Sequence, residues 1–374
     1  MFNQLLQWSL EEYSHLPWRN NRTLYTTLVS EIMLQQTTVG SVIGHYQRFL
    51  QRFPTVEALG KATEEEVCIQ WKGLGYYRRA RMLRAACSYL WEHHGGIIPL
   101  DLNVLMKIPG IGLYTANAIL AIGANQRALP VDANLERVLA RIFTLSGEKG
   151  PVLQKKIYTL FLQGKLLPDL EIWGPRDLSE AFMDLGRTVC RAQKAECLGC
   201  PMKESCLAYQ QQLVSCFPQE SATSLSKKKT SSGYHLSLLR IWVTDQKHNK
   251  LLTYQKGDGE WLSGQWELPT FILSSEDQDL KQYPLLQDVF ADKDCREYSL
   301  DKLQKSAPCC RTTITKYKID NYVIAMEGQQ FQKLIKRNSL RRFQFQQLDF
   351  QQANLAANIL KIQKLIGKKN REKV

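Results

Sequence analysis

Long apolar runs are missing from this 374-residue chain, and so is the pattern of an export leader. No stretch approaches the ~20 consecutive apolar residues that a membrane-spanning helix needs. The opening MFNQLLQWSLEEY has neither a basic segment leading into an apolar core nor the Arg-rich, acid-poor character of a transit peptide. We therefore expect a soluble, intracellular protein with no membrane partner. Acidic residues are in deficit: 36 Asp and Glu face 49 Lys and Arg, a formal net charge of +13. That excess favours a polyanion such as nucleic acid among possible partners. A chain of this length should build two or three domains with ample core.

Cysteine, by contrast, is concentrated. Cys190, Cys197, Cys200 and Cys206 form a C-x6-C-x2-C-x5-C run, four of the ten cysteines of the chain. Intracellular thiols stay reduced and free to ligate metal. Zinc commonly takes two C-x2-C pairs set apart by a longer loop, whereas a single C-x2-C flanked by wider spacings suits sequential wrapping of one [4Fe-4S] cluster. The cluster is the preferred reading, with zinc and then a disulfide pair as alternatives. The remaining cysteines are scattered and read as small buried hydrophobes.

Apolar residues recur at helical spacing from residue 1 to about 216, with FPTVEAL, GGIIPLDL and LSGEKGP as breaks. Residues 217–232 (FPQESATSLSKKKTSS) are polar and rich in Ser and Lys, and read as an interdomain linker. Beyond them YHLSLLRIWVTD, KLLTYQ, TTITKYKI and NYVIAM are β-branched and aromatic runs separated by turn residues, so residues 233–350 should form a sheet-containing domain. Helical spacing returns at 351–366, and the chain closes on the basic tail GKKNREKV.

A second constellation lies at Leu105–Leu120, where two helical patterns meet at Pro109-Gly110-Ile111-Gly112. Glycines there permit φ > 0 and close backbone approach, and the following helix offers unpaired N–H groups, a seat for phosphate. This reads as a helix-hairpin-helix, a motif that grips a DNA backbone without reading sequence. Some twenty residues on, Leu129-Pro-Val-Asp-Ala-Asn134 presents a lone acid after an apolar approach.

Ile108-Pro-Gly-Ile-Gly112, Val131-Asp-Ala-Asn134 and the four-cysteine run, in this order, resemble the helix-hairpin-helix DNA glycosylases with an iron-sulfur cluster. LPWR (16–19), SEIMLQQT (30–37) and GLGYYRRAR (73–81) resemble one branch of that superfamily, MutY, the adenine DNA glycosylases. The resemblance spans essentially the whole chain, strongly to about residue 210 and weakly after the linker. It implies a mainly α N-terminal helix-hairpin-helix glycosylase region with an iron-sulfur cluster, plus an α+β Nudix-like C-terminal domain. Within residues 1–216 a helical barrel would cover about 24–130, and an iron-sulfur subdomain about 1–23 with 131–216. The implied activity is removal of adenine mispaired with 8-oxoguanine or guanine from double-stranded DNA. The enzyme would be a monomeric, monofunctional repair glycosylase, cytoplasmic and nucleoid-associated in a bacterium.

Glycosidic cleavage requires a proton donor for the departing base and an anion near a sugar carbon that becomes oxocarbenium-like. Glu31 and Asp132 can supply both. Glu31 lies between Leu28 and Leu34 on a helical pattern, and burial there would keep it protonated near neutrality. Asp132 also precedes the helical pattern LERVLARIF and can cap it. By resemblance, Glu31 protonates the adenine and later activates water, Asp132 stabilises or captures the sugar cation, and Tyr114 and Asn134 support the two carboxylates. The same resemblance puts Trp18, Arg19 and Glu180 around a flipped base, and Gln36, Leu74 and Tyr76 at the base stack; the arginines that flank Tyr76 in GLGYYRRAR could hold phosphates while its ring wedges between bases. Gly110 and Gly112 would contact the DNA backbone. The endonuclease III branch, a bifunctional pyrimidine glycosylase family, carries a Schiff-base lysine where this chain has Tyr114, which favours a monofunctional enzyme. A non-catalytic iron-sulfur DNA-binding protein, the third reading, would need neither Glu31 nor Asp132.

In the C-terminal part, Trp266-Glu-Leu-Pro269 and Cys310–Lys318 carry a likeness to the Nudix-like module of MutY, which recognises 8-oxoguanine. No catalytic Nudix box with REXXEE spacing is present, so recognition rather than hydrolysis is expected. The family's Phe-Ser-His loop appears as Ile314-Thr315-Lys316, keeping a hydroxyl at Thr315 and losing the aromatic ring and the imidazole. Leu113 and Ala133 also depart from the family pattern without removing a catalytic group.

Overall fold

The structure, a computed structural model, describes residues 1–220, 233–245, 250–257, 260–261, 263–290, 296–314, 316–335, 343–346, 359 and 361–366. Thr315, residues 221–232 of the expected linker and most of the expected 351–374 tail lie outside the described residues. The chain divides into two units, Met1–Lys229 and Thr230–Val374. Among the described residues no helix is long and apolar enough to cross a membrane.

The first unit is built of helices joined by tight turns. α1 (Asn3–Tyr13) leads through a 3-10 turn at Pro17–Arg19 to α2 (Leu24–Leu34). Thr23 starts α2 through a reciprocal cap: its hydroxyl accepts from the Thr26 N–H at 3.1 Å while the Thr26 hydroxyl accepts from the Thr23 N–H at 2.8 Å. The helix is buried nearly all round, from Tyr25 to Met33, as a central helix must be. α3 (Val39–Arg52), α4 (Val56–Lys61), α5 (Glu64–Gln70) and α6 (Arg78–His94) follow, and Gly95 closes α6 in the left-handed conformation at φ 59°. The hairpin pairs α7 (Leu102–Leu105) with α8 (Leu113–Ala118), which runs on through a π-helical turn at Ile119–Gly123.

α9 (Ala133–Ile142), α10 (Pro151–Leu162), α11 (Leu170–Trp173), α12 (Pro175–Thr188) and α13 (Leu207–Gln210) complete the unit. Phe2 and Leu5 of the N-terminal segment share one core with Val138 and Leu139 of α9, Phe182 and Leu185 of α12, and Ala208 of α13. The start of the chain is thus packed against segments more than a hundred residues away.

The second unit is α+β with a mixed sheet. Strands β1 (Tyr234–Asp245), β2 (Lys250–Gln255), β3 (Trp266–Glu267), β4 (Thr270–Ser275), β5 (Cys309–Ile314), β6 (Tyr317–Glu327) and β7 (Gln344–Gln346) take the order β3-β2-β1-β6-β5, with β4 on β1 and β7 on β2. β1 and β6 are parallel and the other pairs antiparallel. The expected break between TTITKYKI and NYVIAM falls elsewhere: Asp320, the residue between the two runs, lies inside β6, and the chain reverses between Ile314 and Tyr317. Asn321 is buried because its amide is consumed there. It accepts from Arg240 Nε at 2.6 Å and donates to the Cys310 carbonyl and the Thr312 hydroxyl, each at 2.9 Å.

Candidate active site

Glu31 is the single carboxylate of α2, and apolar packing on both sides leaves it 6% exposed. Tyr114, brought from α8, donates its phenolic proton to Glu31 Oε2 at 2.7 Å. Burial raises the Glu31 carboxyl to about 7. The Tyr114 hydrogen bond opposes the rise, while Glu180 and Asp132 add to it. Burial, together with the neighbouring carboxylates, pushes the Tyr114 phenol well above its usual range, so it stays protonated as the donor.

Asp132 sits at the N-terminus of α9 and is satisfied differently. Its Oδ1 accepts from the Asn134 and Leu135 N–H groups at 2.9 and 2.7 Å, and its Oδ2 from the Asn134 side-chain amide at 3.0 Å. Burial raises this carboxyl as well, but three donors and the Arg137 charge pull it back toward the ionised form. Capping and an electrostatic role are therefore compatible at one residue. Arg137 extends the network: its Nη2 donates to Asn134 Oδ1 at 3.0 Å and to the Gly186 carbonyl at 2.7 Å, and its Nε donates to the Cys190 carbonyl at 2.8 Å. Position 186 must be glycine, since a Cβ there would meet Asn134 Cβ at 2.8 Å.

Both carboxylates line one open cleft of about 880 Å³, together with Trp18, Arg19, Gln36, Tyr114, Asn134 and Glu180. Trp18 is buried with its ring edge-on to Tyr46 at 5.8 Å. Arg19 pairs with Asp184 at 2.6 Å and more loosely with Glu180 at 3.6 Å, and Arg22 pairs with Glu180 at 2.6 Å. Burial raises the Glu180 carboxyl, and Arg19 and Arg22 counter it. Sequence reading misses Arg22, Asp184 and Arg137. Each lies three or four residues from a recognised site residue on a turn or helix, a spacing that could have pointed to them.

Leu74, Tyr76 and the two hairpin glycines lie outside the cleft lining. Tyr76 is 58% exposed, and both it and Gln36 hold left-handed backbone, at φ 48° and 53°. Leu74, expected at the stack, is 5% exposed, whereas Tyr76 two residues on projects. Arg79, one of the arginines that follow Tyr76, donates inward to the Ile32 carbonyl and the Thr37 hydroxyl. Gly110 has φ 80° and no room for a Cβ, which would meet Met82 Cβ at 2.8 Å, so this glycine answers to packing against α6. Gly112 has open space beside it at the start of α8.

Cys190, Cys197, Cys200 and Cys206 are free thiols that line one cavity, whose other walls include Val138, Ile142, Leu185, Val189 and Met202. Burial raises the thiols of Cys197, Cys200 (to about 11) and Cys206, and the neighbouring sulfurs add to each rise. Crowded thiols in a mainly apolar pocket are a donor set that could hold a thiophilic metal centre. Arg141 donates to Cys190 Sγ at 3.4 Å. Among the described residues no three His, Cys, Asp or Glu side chains close on a single-ion geometry.

Residues 29–160, within the helical unit, match the family described as HhH-GPD superfamily base excision DNA repair protein. The chain is similar to curated adenine DNA glycosylases. It is 36% identical over 194 residues to an adenine DNA glycosylase of Buchnera aphidicola from Acyrthosiphon pisum, covering 52% of this chain and 54% of the relative. It is 37% identical over 215 residues to the Homo sapiens adenine DNA glycosylase, covering 55% and 39%. Against the Arabidopsis thaliana adenine DNA glycosylase the match is 31% over 303 residues, covering 73% and 47%, and so must extend into the second unit. The chain spans about half the length of the curated relatives it matches.

Proposed function

We propose that this protein hydrolyses the N-glycosidic bond of adenine in double-stranded DNA, acting on adenine opposite 8-oxoguanine or guanine. The observation that carries this reading is the meeting, in one cleft, of a buried carboxyl held near neutrality, Glu31, with a hydrogen-bonded carboxylate, Asp132. Below about pH 7 Glu31 keeps a proton that it can give to a ring nitrogen of the base. The C1′–N9 bond then breaks with its electron pair leaving on adenine, and Asp132 faces the positive charge that grows on the sugar. Water adds its oxygen to C1′ and returns a proton to the Glu31 carboxylate, leaving free adenine and an abasic site.

A base inside a duplex cannot reach this cleft, so it must be flipped out. Trp18 supplies an aromatic wall, and Glu180 and Arg19 supply polar edges for the flipped base. Tyr114 has no amine with which to form an imine, which supports a monofunctional enzyme. Gly112, with open space beside the start of α8, suits approach of a phosphate. Exposed Tyr76 and Gln36 suit insertion at the gap in the stack. We assign Cys190, Cys197, Cys200 and Cys206 as ligands of a [4Fe-4S] cluster, which when bound crosslinks the loop they form. The second unit we take as a Nudix-like module that reads the opposite strand around Ile314–Lys316.

The test is a duplex with one A:8-oxoguanine pair and products resolved with and without alkali. Release of adenine, with strand breakage only after alkali, is expected. Breakage without alkali would favour the endonuclease III-like reading, and absence of release under single-turnover conditions would favour a binding protein.

A further inference from the structure

Arg79 stands in the first turn of α6, midway between the last turn of α2 and the loop that carries Tyr76. Its Nη1 donates to the carbonyls of Ile32 and Met33 at 2.9 and 2.8 Å. These are among the last four carbonyls of α2, which have no partner within the helix, and a cation there also meets the negative end of its dipole. Its Nη2 donates to the Thr37 hydroxyl at 2.8 Å and is shared between the Leu74 and Gly75 carbonyls at 3.1 and 3.2 Å. The guanidinium lies 5.6 Å from the centre of the Tyr76 ring. One planar group therefore holds both loops whose tips, Gln36 and Tyr76, are exposed non-glycine residues in left-handed backbone. Such conformations persist only where the surroundings over-determine them, and here Arg79 supplies the bonds from both sides.

Building on the glycosylase reading, we propose that Arg79 is a positioning residue that locks the Gln36 and Tyr76 loops into a rigid two-pronged wedge, poised to hold a duplex open while the base is extruded. Its role is geometric, since all five acceptors are internal. An ammonium has the same charge but cannot fork to five acceptors in two loops.

The test uses the full chain and a duplex with 2-aminopurine in place of adenine opposite 8-oxoguanine, whose fluorescence rises on unstacking whether or not the bond is cut. Arg79→Lys should lose at least about tenfold in single-turnover release and most of the fluorescence gain, as expected for removal of charge-assisted hydrogen bonds. Its affinity for undamaged duplex should stay within about twofold, because phosphate attraction depends on charge. Extrusion by Arg79→Lys equal to wild type would overturn the inference and indicate a role of charge alone. If Arg79→Lys fails to fold, Thr37→Val, which removes one acceptor, decides: reduced extrusion supports the wedge and unchanged extrusion overturns it. Wild type that neither extrudes the probe nor releases adenine would remove the glycosylase reading, and the wedge with it.

Discussion

The middle of α2 and the N-terminus of α9 each present a carboxylate to the same cleft, and they satisfy it differently. Glu31 is surrounded by the apolar body of its helix and meets one phenol. Asp132 collects two backbone N–H groups and an amide at a helix start, where the dipole also favours negative charge. Burial raises both carboxyls, but at Asp132 three hydrogen-bond donors and the Arg137 charge oppose the rise, whereas at Glu31 the Tyr114 phenol is the one hydrogen bond that does so. The number of hydrogen-bond donors at each carboxyl differs according to whether it sits within a helix or caps one, and the proposed division into proton donor and electrostatic stabiliser rests on that difference.

Removing either partner should break this pairing most severely. Glu31→Gln keeps shape and cannot deliver a proton, so single-turnover adenine release should fall by the ~10²–10⁴-fold that general acid-base catalysis is typically worth. A rate within about threefold of wild type would assign the acid elsewhere. Asp132→Asn should cost about 10²-fold or more through loss of the anion, while affinity for the mispaired duplex holds or rises, which a binding titration on the same preparation would reveal.

Tyr114→Phe sharpens the comparison at smaller amplitude. Loss of one side-chain hydrogen bond should slow release by about fivefold to tenfold. Because that bond holds the Glu31 carboxyl down, its removal should move the alkaline limb of the pH–rate profile upward. In the wild type this limb should fall through about pH 7 as Glu31 loses its proton. A profile that stays flat across and above that pH would contradict the assignment of Glu31 as acid.

The smallest expected effect is on stability. The folded protein holds the Glu31 carboxyl at about 7, against an ordinary value of 4.5. The folded form therefore binds its proton more tightly, and stability is lost as pH rises from the unfolded value through the folded one. Glu31→Gln carries no such loss. It should match wild type near pH 4.5 and exceed it at about pH 8 by up to about 3 kcal/mol, since each tenfold difference in proton affinity is worth about 1.4 kcal/mol. Thermal melts of the two proteins at both pH values measure this directly, and an unchanged gap would mean that Glu31 is hydrated in the fold.

Much of the first unit is legible without any coordinates. Periodic apolar residues mark the helices, Pro109–Gly112 marks the hairpin, and the context of Glu31 on an apolar helix matches its burial. Asp132 is readable as a cap because capping is local in sequence. The second unit is harder. Asp320 reads as the break between two strand runs yet lies within β6, and the burial of the neighbouring Asn321 amide depends on Arg240, 81 residues away. The burial of Leu74 and the internal bonds of Arg79 are likewise invisible in the local sequence, because the groups that surround them come from elsewhere in the fold.

Sequence alone determined which residues form helices and where two of them turn, and which carboxylates and thiols were available, because periodicity, caps and spacing act within a few residues. Only the tertiary structure decided that Tyr114 donates to Glu31 across 83 residues, that Arg137 joins Asn134 to the main chain of Cys190, and that Arg79 ties two loops together. Those pairings are long-range hydrogen bonds, whose existence depends on how the helices pack.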